Sequence, residues 1–198
     1  MDNLDSTRFC TTREAARILG ISVRTAQLWV ENGMLEAWKT EGGHRRISLE
    51  SVQRLRKSNS GGGRDGGSEP LKILVIEDDN TLLRLYKLRI EAWKLPVTVV
   101  TAHSGFEGLI LIGRLSPDLL ITDLSMPEFD GFSLVRSLDR SSYREGMEII
   151  IVTGLDSDAI AEAGGLPQDI PVLKKPVPFA ELRTICERLI ARRKELAA

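Results

Sequence analysis

From residue 71 onward the chain repeats one pattern: a short apolar run, a polar break, then a stretch with helical periodicity. Leu71–Ile76, Val97–Thr101, Leu119–Thr122, Glu148–Val152 and Val172–Leu173 have strand length and composition. Between them, Thr81 to Trp93 sets Leu82, Tyr86, Ile90 and Trp93 on one helical face. Phe106–Arg114, Phe132–Leu138 and Asp158–Ala163 read as further helices, the second after the Asp130-Gly131 turn signal and the third ended by Gly164-Gly165. Leu182, Ile185, Cys186, Leu189 and Ile190 then line one side of a closing helix. Strands that are apolar throughout need cover on both faces, so five strand–helix units predict a parallel sheet between two helical layers. Right-handed crossovers reduce the topologies to a few, of which 2-1-3-4-5 is the common one.

The same runs place chemistry at their ends. Ile76 leads into Glu77-Asp78-Asp79, Thr122 into Asp123, Val152 into Thr153, and Leu173 into Lys174-Lys175-Pro176. In an open parallel sheet the carboxyl ends of the strands border one crevice. Acids, a hydroxyl and an ammonium gathered there suit a divalent cation and a phosphoryl group.

Residues 58–68 hold five glycines and no apolar side chain, and read as a flexible linker with a reach of roughly 18 Å. The boundaries expected are 1–57 for a small first domain, 58–69 for the linker and 70–198 for the α/β domain. A linker of this composition argues against a rigid lock between the two. The net charge of -1 divides unevenly, +3 over residues 1–68 and -4 over 69–198. Cys10 and Cys186 stand alone and form neither a disulfide framework nor a metal pattern, so a reducing cytoplasm is expected. The polar start Met1 to Arg8 does not read as a signal peptide, and no apolar stretch reaches membrane-span length, so no membrane partner is expected.

From about Leu71 to Ala191 the chain resembles the receiver domain of two-component response regulators. The likeness is carried by Ile73 to Asp78, Pro117 to Pro127, Asp130-Gly131, Thr153-Gly154 and Lys175-Pro176, in that order. It implies a flavodoxin-like α/β fold in which Asp123 accepts a phosphoryl group from a sensor histidine kinase or a small donor. It also implies that Thr153 and Lys175 hold phosphoryl oxygens. Mg²⁺ would sit on Asp78 and Asp123, with Glu77 directly or through water, and with the Ser125 carbonyl as a further ligand. The chemistry is sound without the likeness. A carboxylate is a competent nucleophile, and in-line displacement mainly needs positioning and charge neutralisation. Asp79 and Lys174 read as solvated neighbours, Asp130-Gly131 as only a turn, and His103 as a loop residue. Two positions depart from the family pattern: Val172 stands where an aromatic is common, and the bulky Leu155 stands two residues after Thr153, where the resemblance implies a side chain that borders the path of water to the phosphoryl group.

In the first domain, Thr11-x-x-Glu14 is a capping box that opens a helix stopped at Gly20. Ser22 caps a second helix, Val23 to Glu31, ended by Asn32-Gly33. Leu35–Thr40 and Arg46–Ser48 flank a glycine turn as a hairpin, and Leu49–Lys57 closes the unit as a helix. Phe9 to Lys57 resembles the winged helix-turn-helix of the MerR and excisionase families, through Thr12 to Ala16, Gly20-Ile21-Ser22, Thr25, Trp29, Gly33, Leu35 and Gly42 to Arg46. The likeness implies that the second helix enters the major groove of double-stranded DNA. Arg24 and Gln27 can each pair with base edges, Thr25 is short enough to reach a phosphate, and His44, Arg45 and Arg46 lie on the wing. Leu28 fills a position often basic in relatives, and Trp29 is expected in the core rather than stacked on DNA. The whole reads as a DNA-binding response regulator that dimerises on phosphorylation and is not an enzyme. The alternative is a pseudo-receiver or adaptor whose first domain binds DNA or protein regardless of phosphorylation.

Overall fold

The computed structural model describes residues 9–40, 43, 45–59, 69–127, 131–139, 144 and 146–196, with the backbone alone at 57–59. The first module runs β1 (Phe9–Cys10), α1 (Thr12–Leu19), α2 (Val23–Glu31), β2 (Ala37–Lys39), β3 (Arg45–Ser48) and α3 (Leu49–Asn59). The capping box forms as expected. Thr11 Oγ1 accepts the Glu14 N–H at 3.2 Å, and Glu14 Oε2 accepts the Thr11 N–H at 2.7 Å. Gly20, at φ 66°, ends α1 with its N–H on the carbonyls of the last turn.

The sequence reading missed β1, which pairs antiparallel with β3 to make a three-stranded sheet ordered β1-β3-β2. Two residues carry no period to detect, and only the pairing Cys10↔Ile47 makes them a strand. Helix α3 also runs to Asn59, two residues into the span read as linker, while residues 60–68 lie outside those described. Leu19, Trp29, Leu35, Ile47 and Val52 fill the core of this module, each at most 1 % exposed.

The second module alternates as the pattern requires: β4 (Leu71–Ile76), α4 (Asn80–Glu91), β5 (Val97–Ala102), α5 (Gly105–Leu115), β6 (Leu119–Thr122), α6 (Gly131–Asp139), β7 (Glu148–Thr153), α7 (Ser157–Glu162), β8 (Val172–Lys174) and α8 (Phe179–Leu196). All pairings are parallel and the order is β5-β4-β6-β7-β8, which is 2-1-3-4-5 when β4 is counted first. Alternate residues of β4 serve opposite layers. Ile73 and Val75 pack with Tyr86, Ile90, Leu182 and Cys186 of α4 and α8, and Leu74 and Ile76 pack with Leu109 and Ile112 of α5. On α4 the buried row is Leu83, Tyr86 and Ile90, with Leu82 only half-buried. Periodicity allowed either leucine, and contact with the sheet selected Leu83.

The end of the sheet opposite the acid cluster is closed by Asp118. Its Oδ2 accepts the Lys72 N–H at 2.8 Å and a bond from Arg193 Nη1 at 3.1 Å. Among the described residues, no helix is long and apolar enough to cross a membrane.

Both cysteines are buried. Burial, with Glu187 and Glu148 nearby, pushes the Cys186 thiol up to about 12, and burial then Glu14 raise that of Cys10. The folded chain therefore keeps these protons while an unfolded thiol releases its own near 9.0, so this part of the stability is lost as pH rises from there. Iodoacetamide at about pH 8 is expected to modify neither thiol until denaturant unfolds the chain. Rapid labelling of Cys186 in native protein would show that this helix opens locally.

Candidate functional site

The acidic crevice is built by strands that end together. β4 delivers Glu77, β6 delivers Asp123, β7 ends in Thr153, and Lys175 follows β8. Glu77 and Asp123 are buried, with side chains 3 % and 5 % exposed, and the Lys175 ammonium lies between them. Lys175 Nζ donates to Glu77 Oε2 at 2.7 Å and to Asp123 Oδ2 at 2.7 Å. Asp123 is held from its other side by backbone, because Oδ1 accepts the N–H of Leu124 at 2.6 Å and of Ser125 at 3.2 Å. Its two oxygens thus have different surroundings, one fixed by peptide N–H groups and one facing the Lys175 ammonium.

Two buried carboxylates share a single ammonium, and this sets the local electrostatics. Burial raises the pKa of Glu77; Lys175 opposes that shift and Asp123 adds to it. For Lys175, burial works against the charged form, but bonds to Asp123 and Glu77 outweigh it and the pKa rises. Asp78 is exposed beside them, and carboxylate oxygens of Glu77, Asp78 and Asp123 lie within 4.8 Å of one another. A set of hard oxygen donors with an excess of negative charge fits Mg²⁺, which takes one or two carboxylates and keeps several waters.

The other residues singled out in the sequence have distinct surroundings. Thr153 is fully buried, and its Oγ1 accepts the Leu155 N–H at 3.3 Å. Ser125 is exposed two residues after Asp123. Asp79 caps α4, accepting the N–H groups of Thr81 and Leu82, and Lys174 is exposed, as expected of neighbours. Asp130 lies outside the described residues. Gly131 is more than the turn residue that its pairing with Asp130 predicts: a Cβ there would sit 2.4 Å from the Asp123 carbonyl oxygen and 2.7 Å from Leu124 Cα. The start of α6 presses on the backbone that carries Asp123, and only glycine permits this approach. The Asp-Gly pair was the available signal, but its partner was not visible in sequence.

On the first module, Arg24 and Gln27 point outward from the start of α2, as their spacing implies. Thr25 departs from expectation. It is 3 % exposed, and its Oγ1 lies 2.7 Å from Ser22 Oγ, inside the cap of α2. Turned to the helix start, its hydroxyl is not presented to a phosphate. Arg46 is exposed on the wing, whereas Arg45 is half-buried with Nη1 3.6 Å from Glu31 Oε1, tying the wing to the end of α2. His44 lies outside the described residues. Lys39, exposed and paired in register with Arg45, is a cation that the sequence reading passed over.

A doubly wound sheet with three acids and a lysine at its carboxyl edge, joined to a winged helix-turn-helix, defines a receiver-type signalling protein. Residues 73–187 match the model of the response regulator receiver domain, and residues 9–60 match that of a helix-turn-helix domain. The chain belongs to the response regulator receiver family. It is 38 % identical over 109 residues to transcriptional regulatory protein GlrR of Escherichia coli, a match covering 55 % of this chain and 24 % of that protein. Response regulator MprA of Mycobacterium ulcerans is 32 % identical over 124 residues, covering 63 % of this chain and 52 % of that one. The chain thus spans about a quarter and about half of the lengths of these relatives. A receiver domain structure from Clostridium thermocellum, 34 % identical, covers 63 % of this chain and 98 % of its own, with a TM-score of 0.50. The chain thus joins a helix-turn-helix domain to a response regulator receiver domain, and is homologous to transcriptional regulators.

Proposed function

We propose that the chain takes a phosphoryl group on Asp123 from a sensor histidine kinase, in a Mg²⁺-dependent reaction, and thereby changes its dimerisation and DNA binding to regulate transcription. The observation that carries this reading is the Lys175 ammonium held 2.7 Å from both Glu77 and Asp123. In the transfer, an Asp123 carboxylate oxygen attacks phosphorus, the bond from phosphorus to the donor nitrogen breaks, and an acyl phosphate forms. The N–H groups of Leu124 and Ser125 hold the carboxylate in place during attack. Lys175 then exchanges its bond to Asp123 Oδ2 for one to a phosphoryl oxygen, and the Thr153 hydroxyl binds another. Glu77, Asp78, Asp123 and the Ser125 carbonyl are the ligands assigned to Mg²⁺, which supplies neutralisation of the negative charge on the transferring group.

The output assigned to this switch is a change in how two winged helices meet repeated half-sites. Residues 1–57 form the DNA-binding module, 58–69 the connection and 70–198 the receiver, with α3 extending to Asn59. Arg24 and Gln27 read base edges, and Arg45 and Arg46, with His44, contact the backbone. Footprinting on genomic DNA tests the reading, with and without a small phosphodonor and Mg²⁺. Protection that strengthens on phosphorylation in the wild type, and is lost in Arg24→Ala, is the expected result. Protection that ignores the phosphodonor points instead to a module that binds DNA on its own.

Leu155 sets the lifetime of the acyl phosphate in this scheme. It is half-buried and packs on the core beside Thr153, at the position where the receiver family's side chain borders the path of water. Leu155→Asn is expected to shorten the lifetime several-fold, measured by loss of phosphoryl mass after the donor is removed. An unchanged or longer lifetime removes Leu155 from the path of water.

A further inference from the structure

Helix α2 has two ends with different partners. Its start presents Arg24 and Gln27 to solvent, while Trp29 near its end is 1 % exposed. The cover over Trp29 comes partly from the receiver. Trp29 Nε1 donates to the carbonyl oxygen of Leu109 on α5 at 3.3 Å, across 80 residues of chain. A buried indole N–H needs an acceptor, and this one finds it in the other module. Met34, just beyond α2, reaches the same place. A Cβ on Gly113 would stand 2.4 Å from Met34 Cε and 3.0 Å from Trp29 Cζ2.

Gly113 lies one turn beyond Leu109, so its missing side chain leaves the Leu109 carbonyl uncovered for the indole. Glycine in mid-helix weakens the helix, and Gly113 does not have the positive φ that would call for glycine. Close approach of the winged helix is the use that the structure assigns to it. A Gly-rich tether in the same chain raises the effective concentration of such a face to the order of millimolar. A modest contact is then enough to hold the two modules together.

We propose that the face of α5 formed by Leu109 and Gly113 is a docking site for this chain's own winged-helix module, with Trp29 as the anchor. The receiver then holds the recognition helix in one orientation, with Arg24 and Gln27 turned outward, instead of leaving it on a loose tether. This corrects the expectation that the linker leaves the modules without a fixed contact. The proposal does not depend on phosphorylation of Asp123, because the contact lies on a helix rather than in the acidic crevice.

The test is NMR on the full ¹⁵N-labelled chain, whose three tryptophans give separable indole signals. Trp29→Phe assigns the Trp29 signal. In the wild type, the Trp29 indole proton is expected to exchange about tenfold or more slowly relative to that of exposed Trp38, and both modules to tumble with one correlation time. Gly113→Gln, which fills the docking face from the receiver side, is expected to remove that protection and let the modules tumble separately. Should Gly113→Gln fail to fold, Met34→Glu makes the same test from the other side. Independent tumbling in the wild type, or protection of Trp29 that survives either substitution, overturns the proposal. Loss of protection on dilution overturns it as well, because it shows the contact being made by a second copy.

Discussion

Asp123→Asn is expected to give a folded receiver that takes up no phosphoryl group. Asn keeps an oxygen for the N–H groups of Leu124 and Ser125, which meet Asp123 Oδ1 at 2.6 and 3.2 Å. Lys175 keeps its bond to Glu77, and the charge of Asp123, which helps raise the pKa of Glu77, is gone. One charge-assisted bond is weakened and one like-charge repulsion is relieved, so the net change in stability should stay within about 1.5 kcal/mol. The loss of chemistry is by contrast complete, because an amide is no nucleophile toward phosphorus. Intact-mass spectrometry after treatment with a small phosphodonor and Mg²⁺ should show one added phosphoryl mass on the wild type and none on the variant. A phosphoryl group retained by Asp123→Asn would place the acceptor on another residue. If denaturant titration instead shows the variant to be strongly destabilised, the Asp123–Lys175 pair is mainly a structural bond.

Gly131→Ala should damage both the fold and the site. The added methyl carbon meets backbone on two sides, the Asp123 carbonyl oxygen at 2.4 Å and Leu124 Cα at 2.7 Å. Neither is a flexible side-chain end, so either α6 lifts from the sheet or the acceptor loop moves. Overpacking of this kind costs about 1–3 kcal/mol, and backbone neighbours place this case at the upper end. A loop shift also disturbs the N–H groups that orient Asp123, so phosphoryl uptake should fall at least about tenfold, since misplacement by an ångström is enough for such a loss. Parallel denaturation and uptake measurements separate the two effects. Wild-type values in both would mean that α6 is free to adjust, and that the close approach constrains nothing.

The legibility of this chain follows the range of the interactions involved. The strand–helix alternation, the capping box at Thr11 and the cap at Ser22 are local patterns, and each forms where the residues specify. The acid, hydroxyl and lysine positions were equally readable, because each closes a strand and the strands of a parallel sheet end along one edge. What escaped was mainly roles set by partners far along the chain. β1 is a strand only through Ile47 and Ser48, and Leu83 rather than Leu82 faces the sheet. Thr25 is the local exception, since its hydroxyl meets Ser22 only three residues away. Gly131 and Gly113 were legible as glycines, but the neighbours that exclude a side chain were not.

By itself the sequence determined the two modules, the order of their elements apart from β1, and the set of polar groups at the carboxyl edge of the sheet. It could do so because hydrophobic period and turn chemistry act over a few residues. Only the tertiary structure decided how those groups share charge, with one ammonium between Glu77, 98 residues away, and Asp123, 52 residues away. It alone seated Trp29 on the carbonyl of Leu109. A buried polar group takes its partner from whatever the packed fold brings beside it, and no local pattern encodes that choice.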